Sequence, residues 1–378
     1  MKLAISADWH VDSYGSRVDP ETGLNARLTD FLRTATWVAE EAKRRGADAL
    51  LVLGDFSERK HINGWLIARI QEALSAGPQR VIALRGNHDG TIGGRSIVDI
   101  FDRREGWDGV DRPRVIRLGK LAICAIGFMD RHHARTLPGM EAVAEADLVR
   151  VLGEQYLAIA RGLFAEAMDG GATSAILVGH QSVSGGRMSE AQEAFLGGLS
   201  LVVDSRALAA IGYSMVALGH YHLAQTVLDD PACPVVYAGS IERVDFAEAG
   251  QQKSFLMVDV DETGKTPVSI EVVPTPARRF VTLTGNDIGD WPDIEGAVVR
   301  MLDVDPEIDT AVVREELERR GHAFDITEIR RRPVAQVVPT TGLHELLTPS
   351  QALTAYFDGD LDAEALVDRG LAVLAEVA

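Results

Sequence analysis

The sequence Gly86-Asn87-His88-Asp89 follows an apolar run at residues 81–84. A short β-type run that ends in this way delivers an amide oxygen, an imidazole and a carboxylate to the carboxyl end of a strand, where open α/β sheets bind their ligands. Taken alone, the tetrapeptide is a weak signal, because polar turns of similar composition are common. Its meaning depends on whether other apolar runs end in the same way.

Four further apolar runs, at residues 2–7, 49–53, 175–178 and 215–218, end in Asp or His. The sequences that follow them are Asp8-Trp9-His10, Gly54-Asp55, Gly179-His180 and Gly219-His220-Tyr221-His222. Residues two apart in an extended segment project to the same side, so Asp8 and His10 can present two ligands to one centre, as can His220 and His222. Each pair by itself is better explained as a capping carboxylate or a surface histidine. Five such strand ends in one chain favour a shared metal centre.

Composition is that of an ordinary globular protein. The chain has 378 residues, 46% of them hydrophobic, which predicts one large domain with one or two smaller attachments. No run approaches the roughly 20 apolar residues of a membrane span, and the first residues lack a signal-peptide pattern, so we expect a cytoplasmic protein without membrane contact. Cys124 and Cys233 have no CxxC spacing and are expected to be buried apolar residues.

The formal net charge of −18 argues against indiscriminate binding to a phosphate backbone, because such affinity comes largely from Lys and Arg. It does not exclude a nucleic-acid enzyme, since two divalent ions would add about four positive charges at the centre. Three basic runs are present, and each is best explained as a solvated surface segment. They are Arg59-Lys60-His61, Arg131-His132-His133 and Arg330-Arg331-Arg332.

Alternating β-type runs and helical periodicities continue to about residue 180, which predicts helices packed on both faces of a sheet with the strand-end loops at one edge. After His222 the runs become shorter and β-type, and we expect them to form a second sheet layered on the first. Pro274-Thr275-Pro276 is the predicted linker. It separates a main domain (residues 1–275) from a small β/α capping module (276–340), and a helical tail (341–378) follows.

The candidate metal ligands are Asp, Asn and His side chains without Cys, a set that suits Mn²⁺, Fe or Zn. They are Asp8, His10, Asp55, Asn87, His180, His220 and His222. Seven ligands are too many for one tetrahedral ion but fit two ions that share a bridging carboxylate, and such a pair hydrolyses phosphoesters. His88 would stabilise charge on the phosphoryl group or protonate the leaving oxygen, and Asp89 would orient its imidazole.

Together, the five motifs resemble those of the calcineurin-like metallophosphoesterases over about residues 1–275. The resemblance implies an α/β fold with a two-layered sheet sandwich flanked by helices, and His88 as the catalytic histidine. It implies one ion held by Asp8, His10, Asp55 and His222. It implies a second ion held by Asp55, Asn87, His180 and His220.

Finer features are similar to the SbcD-type nuclease subunits of DNA double-strand-break repair. They are Asn25-Ala26-Arg27-Leu28 at a helix start, Gly239-Ser240 with Glu242-Arg243, the capping module and the helical tail. This resemblance implies a Mn²⁺-dependent exonuclease and endonuclease whose cap contacts DNA and whose tail binds a coiled-coil ATPase subunit of the SbcC type. One departure is Glu58, where the family pattern leads us to expect Asp.

The same resemblance implies a homodimer whose contact surface lies on the helices that flank the Gly-Asn-His-Asp loop. The residues concerned are Trp65, Ile97, Ile100 and Phe101, although core packing is the ordinary role of such side chains. Two other functions stay open. A phosphodiesterase or phosphatase for small molecules is favoured by the acidic charge but gives no role to the cap and tail. A silent scaffold for an ATPase is disfavoured by the complete ligand set.

Overall fold

The structure is a computed structural model. It describes residues 1–59, 63–90, 96–129, 145–188, 201–264, 266–284, 293–319, 323–331, 349–357 and 363–377. The chain forms two compact units, Met1–Arg330 and Arg331–Ala378. Three sets of residues named in our predictions lie outside the described residues: the basic residues Lys60, His61, Arg131, His132, His133 and Arg332, the predicted chain break at Pro339–Gly342, and the apolar tail residues Leu343, Leu346 and Leu347.

The first half of the large unit alternates strands and helices. Its elements are β1 (Lys2–Ser6), α1 (Ala26–Arg44), β2 (Ala49–Val52), α2 (Gly64–Ser75), β3 (Arg80–Leu84), α3 (Val98–Phe101), β4 (Trp107–Val110), β5 (Arg114–Leu118), β6 (Leu121–Ile126), α4 (Glu145–Asp169) and β7 (Ser174–His180). Helix α1 begins where the Asn25 side chain accepts a hydrogen bond from the Leu28 backbone N–H, and its last turn carries Lys43 and Arg44. Both features stabilise helix ends.

The second half is richer in strands. Its elements are β8 (Ser182–Val183), β9 (Val202–Val203), α5 (Ser205–Ala209), β10 (Met215–Gly219), β11 (Gln225–Leu228), β12 (Val235–Tyr237), β13 (Ser254–Asp259), β14 (Ser269–Pro274), β15 (Phe280–Thr284), β16 (Val298–Val304), α6 (Thr310–Arg319) and β17 (Asp325–Arg331). The smaller unit contains α7 (Pro349–Tyr356) and α8 (Ala363–Val377).

Two six-stranded sheets form the centre of the large unit, in the orders β14-β13-β1-β2-β3-β4 and β11-β12-β10-β7-β6-β5. Inward side chains of the two sheets, such as Ile5, Leu51 and Ile176, share one buried cluster. The opposite face of the first sheet packs on α1 and α2, and that of the second packs on α4. The predicted α/β sandwich flanked by helices is confirmed.

The late strands differ from the expectation that they form the second sheet by themselves. Strands β11 and β12 are added to the edge of a sheet already built from β5, β6, β7 and β10, whereas β13 returns to the first sheet and pairs antiparallel with β1. Apolar alternation identifies a strand but not its neighbour, because every strand with one buried face has the same period. Strand β4 was not predicted, since Trp107-Asp108-Gly109-Val110 is short and contains two residues that strands disfavour.

A third sheet, in the order β15-β16-β17, packs with α6 around a hydrophobic cluster of its own that includes Val299, Met301 and Leu317. In the smaller unit, α7 lies against α8, where a Cβ atom placed on Gly370 would be 3.0 Å from the Leu353 side chain. No helix in the described parts of the chain is both long and apolar enough to cross a membrane.

The four residues that the resemblance assigns to a dimer surface fall into two groups. Trp65 and Ile100 are 43% and 42% exposed, whereas Ile97 and Phe101 belong to the buried core cluster beside α1 and α2. A substitution at Phe101 would therefore test the core, and one at Ile100 would test a surface.

Glycine is required where the loops after β2 and β3 meet. Gly54 has φ +91°, and a Cβ atom there would lie 2.4 Å from His180 Nδ1 and 2.7 Å from Gly86 Cα. We expect Gly54→Ala to destabilise the metal-free protein by roughly 3 kcal/mol or more, because it adds a clash with backbone to a strained conformation. Gly250→Ala is the matched control, since a Cβ there would meet nothing within 4 Å. Equal urea midpoints for the two variants would contradict this packing.

Candidate metal centre

Backbone hydrogen bonds tie together the loops that carry the predicted ligands. The Asp8 N–H donates to Gly54 O at 3.1 Å, and the His10 N–H donates to Asp55 O at 3.0 Å. The His220 N–H donates to the two Asp8 carboxylate oxygens at 3.0 and 3.1 Å. The loops after β1, β2 and β10 therefore meet at one edge of the sandwich, as the strand ends predict.

Left-handed backbone conformations concentrate at this edge. Asp8, His10, Asp55 and His220 have φ values of 52°, 44°, 55° and 97°. Each such residue costs about 1–3 kcal/mol unless its surroundings hold it. The interloop hydrogen bonds are the restraint here, and the result is that short polar loops turn their side chains into a single centre.

The Asp55 carboxylate lies in the middle of this centre. Its Oδ2 is 3.3 Å from His180 Nε2 and 3.7 Å from His10 Nε2. The side chains of Asp8, His10 and His222 form one group whose ligand atoms lie within 4.8 Å of each other, and Asp55 belongs to two more such groups. These are His10 with Asp55 and His88, and Asp8 with Asp55 and His180. This central position is the one that a bridging carboxylate needs.

Asn87 occupies the other side of the centre. Its Oδ1 atom lies 3.0 Å from His180 Nε2 and 2.8 Å from His220 Nδ1. An amide oxygen and two imidazole nitrogens thus point at a common spot. All seven predicted ligands are brought together.

Divalent cations fit this donor set. His10 Nε2 is buried and has no hydrogen-bond partner among the described residues, although buried polar atoms are nearly always satisfied. Carboxylate, amide and imidazole atoms converge with few donors between them, which suits a bound cation better than a network of hydrogen bonds.

Three of the histidines make a hydrogen bond through Nδ1, on the side of the ring that faces away from the centre. The partner of His10 is Glu58 Oε2 at 2.7 Å, that of His180 is Leu53 O at 2.5 Å, and that of His222 is Glu248 Oε1 at 2.5 Å. Each partner is an acceptor, so Nδ1 donates a proton to it and Nε2 is the ring atom that faces the centre. Metal-binding histidines are commonly oriented in this way.

Asp89 does not contact the His88 ring, contrary to our expectation. Its two oxygens accept hydrogen bonds from the backbone N–H groups of Asp55, Phe56 and Gly86 at 2.7–2.8 Å. These three backbone donors satisfy the buried carboxylate without a hydrogen bond from an imidazole. Asp89 instead fixes the loop after β2 against the loop after β3, and so positions Asp55.

His88 is held by Glu58. The His88 Nδ1 atom lies 2.8 Å from the Glu58 backbone oxygen and 3.6 Å from Glu58 Oε1. The His88 side chain is 20% exposed, whereas the rings of His10 and His180 are buried. Its ring centroid is 5.1 Å from that of His10. His88 thus borders the centre on its open side, where a substrate can reach it.

Sequence reasoning missed the partners of these histidines. Glu58 was noticed only as a departure from the family pattern, and Glu248 was not singled out. Lys253, whose Nζ lies 2.9 Å from Glu248 Oε2, was not considered either. Glu248 follows His222 by 26 residues, and neither periodicity nor spacing links the two. Phe128, which lies beside the rings of His180 and His220, gave no signal at all.

Charges in the centre are strongly coupled. Burial lowers the pKa of His10, but the hydrogen bond to Glu58 and the charges of Asp55, Glu58 and Asp8 outweigh this and raise it to about 9. Burial is likewise outweighed at His180, where Asp55 raises the pKa to about 9. Burial and the neighbouring His180 lower the pKa of His220 to about 3. In the ion-free protein, protons on His10 and His180 therefore neutralise the carboxylates.

The family model of calcineurin-like phosphoesterases matches residues 1–224. The chain belongs to this family. Among solved structures, a protein from Thermus thermophilus shows 13% identity and a TM-score of 0.40, over 72% of this chain and 98% of that one. A dimetal phosphatase from Danio rerio shows 9% identity and a TM-score of 0.39 over the same shares. A purple acid phosphatase from yellow lupin (Lupinus luteus) shows 12% identity and a TM-score of 0.41, over 69% of this chain and 49% of that one.

Membership confirms the calcineurin-like part of the resemblance and makes the chain one of a family of metal-dependent phosphoester hydrolases. The likeness to SbcD-type nucleases stays a prediction. The assignment of each ligand to an ion and the choice of Mn²⁺ also stay predictions.

The raised pKa values predict that metal binding is linked to protons. A cation can bind only after the Nε2 atoms of His10 and His180 lose their protons, so we expect proton release on Mn²⁺ binding at pH 7.5. Between pH 7 and 9 the apparent affinity should rise, by up to about tenfold per pH unit for each proton released. Calorimetric titration in two buffers of different ionisation enthalpy measures this directly. Binding without proton release, at an affinity independent of pH, would show that the ion-free site is not protonated.

The same raised pKa values make the ion-free protein less stable as the pH rises, whereas its affinity for metal increases. A histidine whose folded pKa of about 9 exceeds its ordinary 6.5 stabilises the fold fully below pH 6.5, and this contribution disappears as the pH rises through about 9. Bound cations would replace it at alkaline pH.

Proposed function

We propose that this protein is a two-metal phosphodiesterase that cleaves DNA, the nuclease subunit of a double-strand-break repair complex. The observation that carries the proposal is a buried ionic cluster. It joins the three-stranded sheet of residues 280–331 to the phosphoesterase core through the residues that are similar to SbcD-type nucleases.

Asp30 in α1 is the first half of this cluster. Its carboxylate accepts hydrogen bonds from Arg27 Nη1 at 2.8 Å and from Arg33 Nη2 at 2.8 Å. Arg278, just before β15, donates to the same carboxylate through Nε and Nη2, both at 2.5 Å. A buried carboxylate with this many charge-assisted bonds is strongly bound to its partners.

Glu242 and Arg243 form the second half. The Arg278 N–H donates to Glu242 Oε1 at 2.8 Å, and Arg243 Nη1 donates to Arg278 O at 2.9 Å. Arg27 Nη2 closes the cluster by donating to Arg243 O at 2.7 Å. Removing one partner of a buried ion pair costs about 3–5 kcal/mol, so this cluster attaches the small sheet firmly to the core.

Aromatic contacts extend the attachment toward the metal centre. A 3-10 turn at Phe246–Glu248 places Glu248 against His222 and Phe246 against Phe280 of β15, with ring centroids 4.8 Å apart. The Arg300 guanidinium of β16 lies 4.5 Å from the Phe246 centroid. The small sheet is thus connected to the segment that holds a metal ligand, which suits a module that contacts a long substrate bound there.

Two divalent ions, with Mn²⁺ as the proposed species, supply Lewis-acid chemistry at the phosphorus when they are bound. The first would be held by Asp8, His10, Asp55 and His222. The second would be held by Asp55, Asn87, His180 and His220.

His88 performs the protein's own part of the reaction. Its Nδ1 proton is held by the Glu58 carbonyl, so Nε2 is the atom that faces the reacting group. When water replaces the leaving oxygen at phosphorus, the imidazolium form of His88 can give its Nε2 proton to that oxygen. Glu58 keeps the ring in place through its backbone oxygen.

One observation favours a second function. The net charge of −18 weakens attraction to a polyanion, which supports a small-molecule phosphodiesterase or phosphatase of the same family. The attached sheet and the tail then have no role in catalysis.

Two assembly proposals accompany the nuclease proposal. A homodimer would use the exposed Trp65 and Ile100 beside the Gly-Asn-His-Asp loop. The tail would bind the coiled-coil base of an SbcC-type ATPase, an amphipathic helix in a groove being a recurrent mode of recognition.

The nuclease proposal is tested by offering the Mn²⁺-loaded protein duplex DNA ends, DNA hairpins and bis-p-nitrophenyl phosphate side by side. We expect cleavage of DNA. His88→Ala should retain metal and DNA binding but lose about 10²- to 10⁴-fold in rate, as for loss of a general acid. Asn87→Ala is the comparison variant and should lose metal as well as rate. Hydrolysis of the small ester alone would support the second function, and metal loss in His88→Ala would make His88 a ligand.

The tail proposal is tested by truncation after Gly342. The shortened protein should keep its melting temperature and its Mn²⁺-dependent DNA cleavage, but it should no longer co-purify with an SbcC-type ATPase or respond to ATP. A sharply lower melting temperature would show that the tail is structural. Retained ATPase binding would place the contact elsewhere.

A further inference from the structure

A buried acid–base pair stands behind His222. Glu248 is 1% exposed and the Lys253 side chain is wholly inaccessible. Lysine is among the residues least often fully buried, and a buried lysine is nearly always paired. The phosphoester hydrolysis described above uses neither residue, so the burial of this pair needs a different explanation.

Every polar atom of this pair has a partner. Glu248 Oε1 lies 2.5 Å from His222 Nδ1, and Oε2 accepts from Val244 N at 2.9 Å and from Lys253 Nζ at 2.9 Å. Lys253 Nζ also donates to Ser240 Oγ at 2.7 Å and to Gln251 Oε1 at 2.8 Å. A network satisfied to this degree is rigid. It meets the metal centre at His222, where Glu248 holds the ring and Lys253 Nζ lies 3.4 Å from the backbone oxygen.

The geometry fixes what the contact does. Glu248 Oε1 accepts the Nδ1 proton of His222, so a change of tautomer or a rotation of the ring would break this buried hydrogen bond. Lys253 supplies the positive charge that keeps Glu248 ionised away from water. A carboxylate behind a metal-bound histidine raises the basicity of the ring and orients it, and its loss typically costs 10- to 100-fold in metal affinity.

The two proposed ligand sets differ in the groups that hold their histidines. In the set proposed for the first ion, both imidazoles rest on carboxylates, His10 on Glu58 and His222 on Glu248. In the set proposed for the second ion, His180 rests on the neutral Leu53 carbonyl. Because a hydrogen bond to a carboxylate is stronger than one to a neutral carbonyl, the rings of His10 and His222 are held more firmly than that of His180.

We propose that Glu248 and Lys253 are positioning residues for His222, and that the ion held by Asp8, His10, Asp55 and His222 binds more tightly than the ion held by Asp55, Asn87, His180 and His220. This inference rests on the proposed two-metal function and adds an order of loading to it. The first ion binds first, and the second ion exchanges more readily.

Calorimetric titration of the full-length, metal-free protein with Mn²⁺ at fixed pH tests the proposal without any assay of activity. The wild type should bind two ions in two steps whose dissociation constants differ by about tenfold or more. Glu248→Gln should weaken the tighter step by about 10- to 100-fold and move the weaker step by less than about threefold. Asn87→Ala should abolish the weaker step and keep the tighter one.

Two further variants separate positioning from folding. In Glu248→Gln, the new amide group would face the Lys253 ammonium, so the double variant Glu248→Gln/Lys253→Met removes both charges and should show the same selective loss with a melting temperature nearer to that of the wild type. Glu271→Gln is the matched surface control, since Glu271 is 62% exposed and pairs with Arg45 at the surface, and it should leave both steps unchanged.

Each remaining result counts against a different statement. Equal weakening of both steps by Glu248→Gln, or no weakening, would overturn the positioning role, and loss of the tighter step in Asn87→Ala would overturn the order of affinities. In both cases the two-metal function survives. A wild type that binds no Mn²⁺, or a single ion, would instead overturn the proposed function and this inference with it.

Discussion

The buried Asp55 carboxylate is the constraint on which the rest of the centre depends. Its Oδ2 lies between His10 Nε2 and His180 Nε2, and its Oδ1 accepts a hydrogen bond from the His88 N–H at 2.7 Å. Burial opposes its ionised form, but the positive charges of His180 and His10 outweigh this and hold the pKa of Asp55 well below its ordinary value. A buried anion shared among three motifs requires positive charge nearby, which protons supply in the ion-free protein and cations would supply in the loaded one.

The fold brings the motifs to this anion by close approach of backbone. A Cβ atom on Gly86 would lie 2.1 Å from Asp55 Oδ1, and one on Gly219 would lie 2.3 Å from Leu53 O. Glycine before the ligands is thus a packing requirement of the sandwich, because parallel strands from two sheets end within a few ångströms of each other. The strain at Asp8, His10 and Asp55 is held by the same interloop hydrogen bonds, so stability and the metal centre share one set of contacts.

The sequence allowed the ligands to be predicted but not their supports. Asp8, His180 and the other ligands stand directly after apolar runs, and parallel strands necessarily bring such ends to one edge. Glu248 and Lys253 reach His222 through a 3-10 turn and a buried strand end far along the chain, and Asp89 acts on backbone groups that no pattern reveals. The sandwich was implied by the family resemblance, whereas the alternation of elements alone predicted helices on both faces of one sheet, and among the described residues each sheet in fact has helices on one face only. The return of β13 to β1 was not predictable, because pairing depends on long-range packing rather than on local periodicity.

The central claim is that Asp55 bridges two divalent ions. Anomalous X-ray scattering at the manganese edge, recorded from crystals of the full-length protein loaded with Mn²⁺, tests it most directly. We expect two peaks about 3.5–4 Å apart, one on each side of the Asp55 carboxylate. A single peak, or a pair of peaks that Asp55 does not touch, would contradict it.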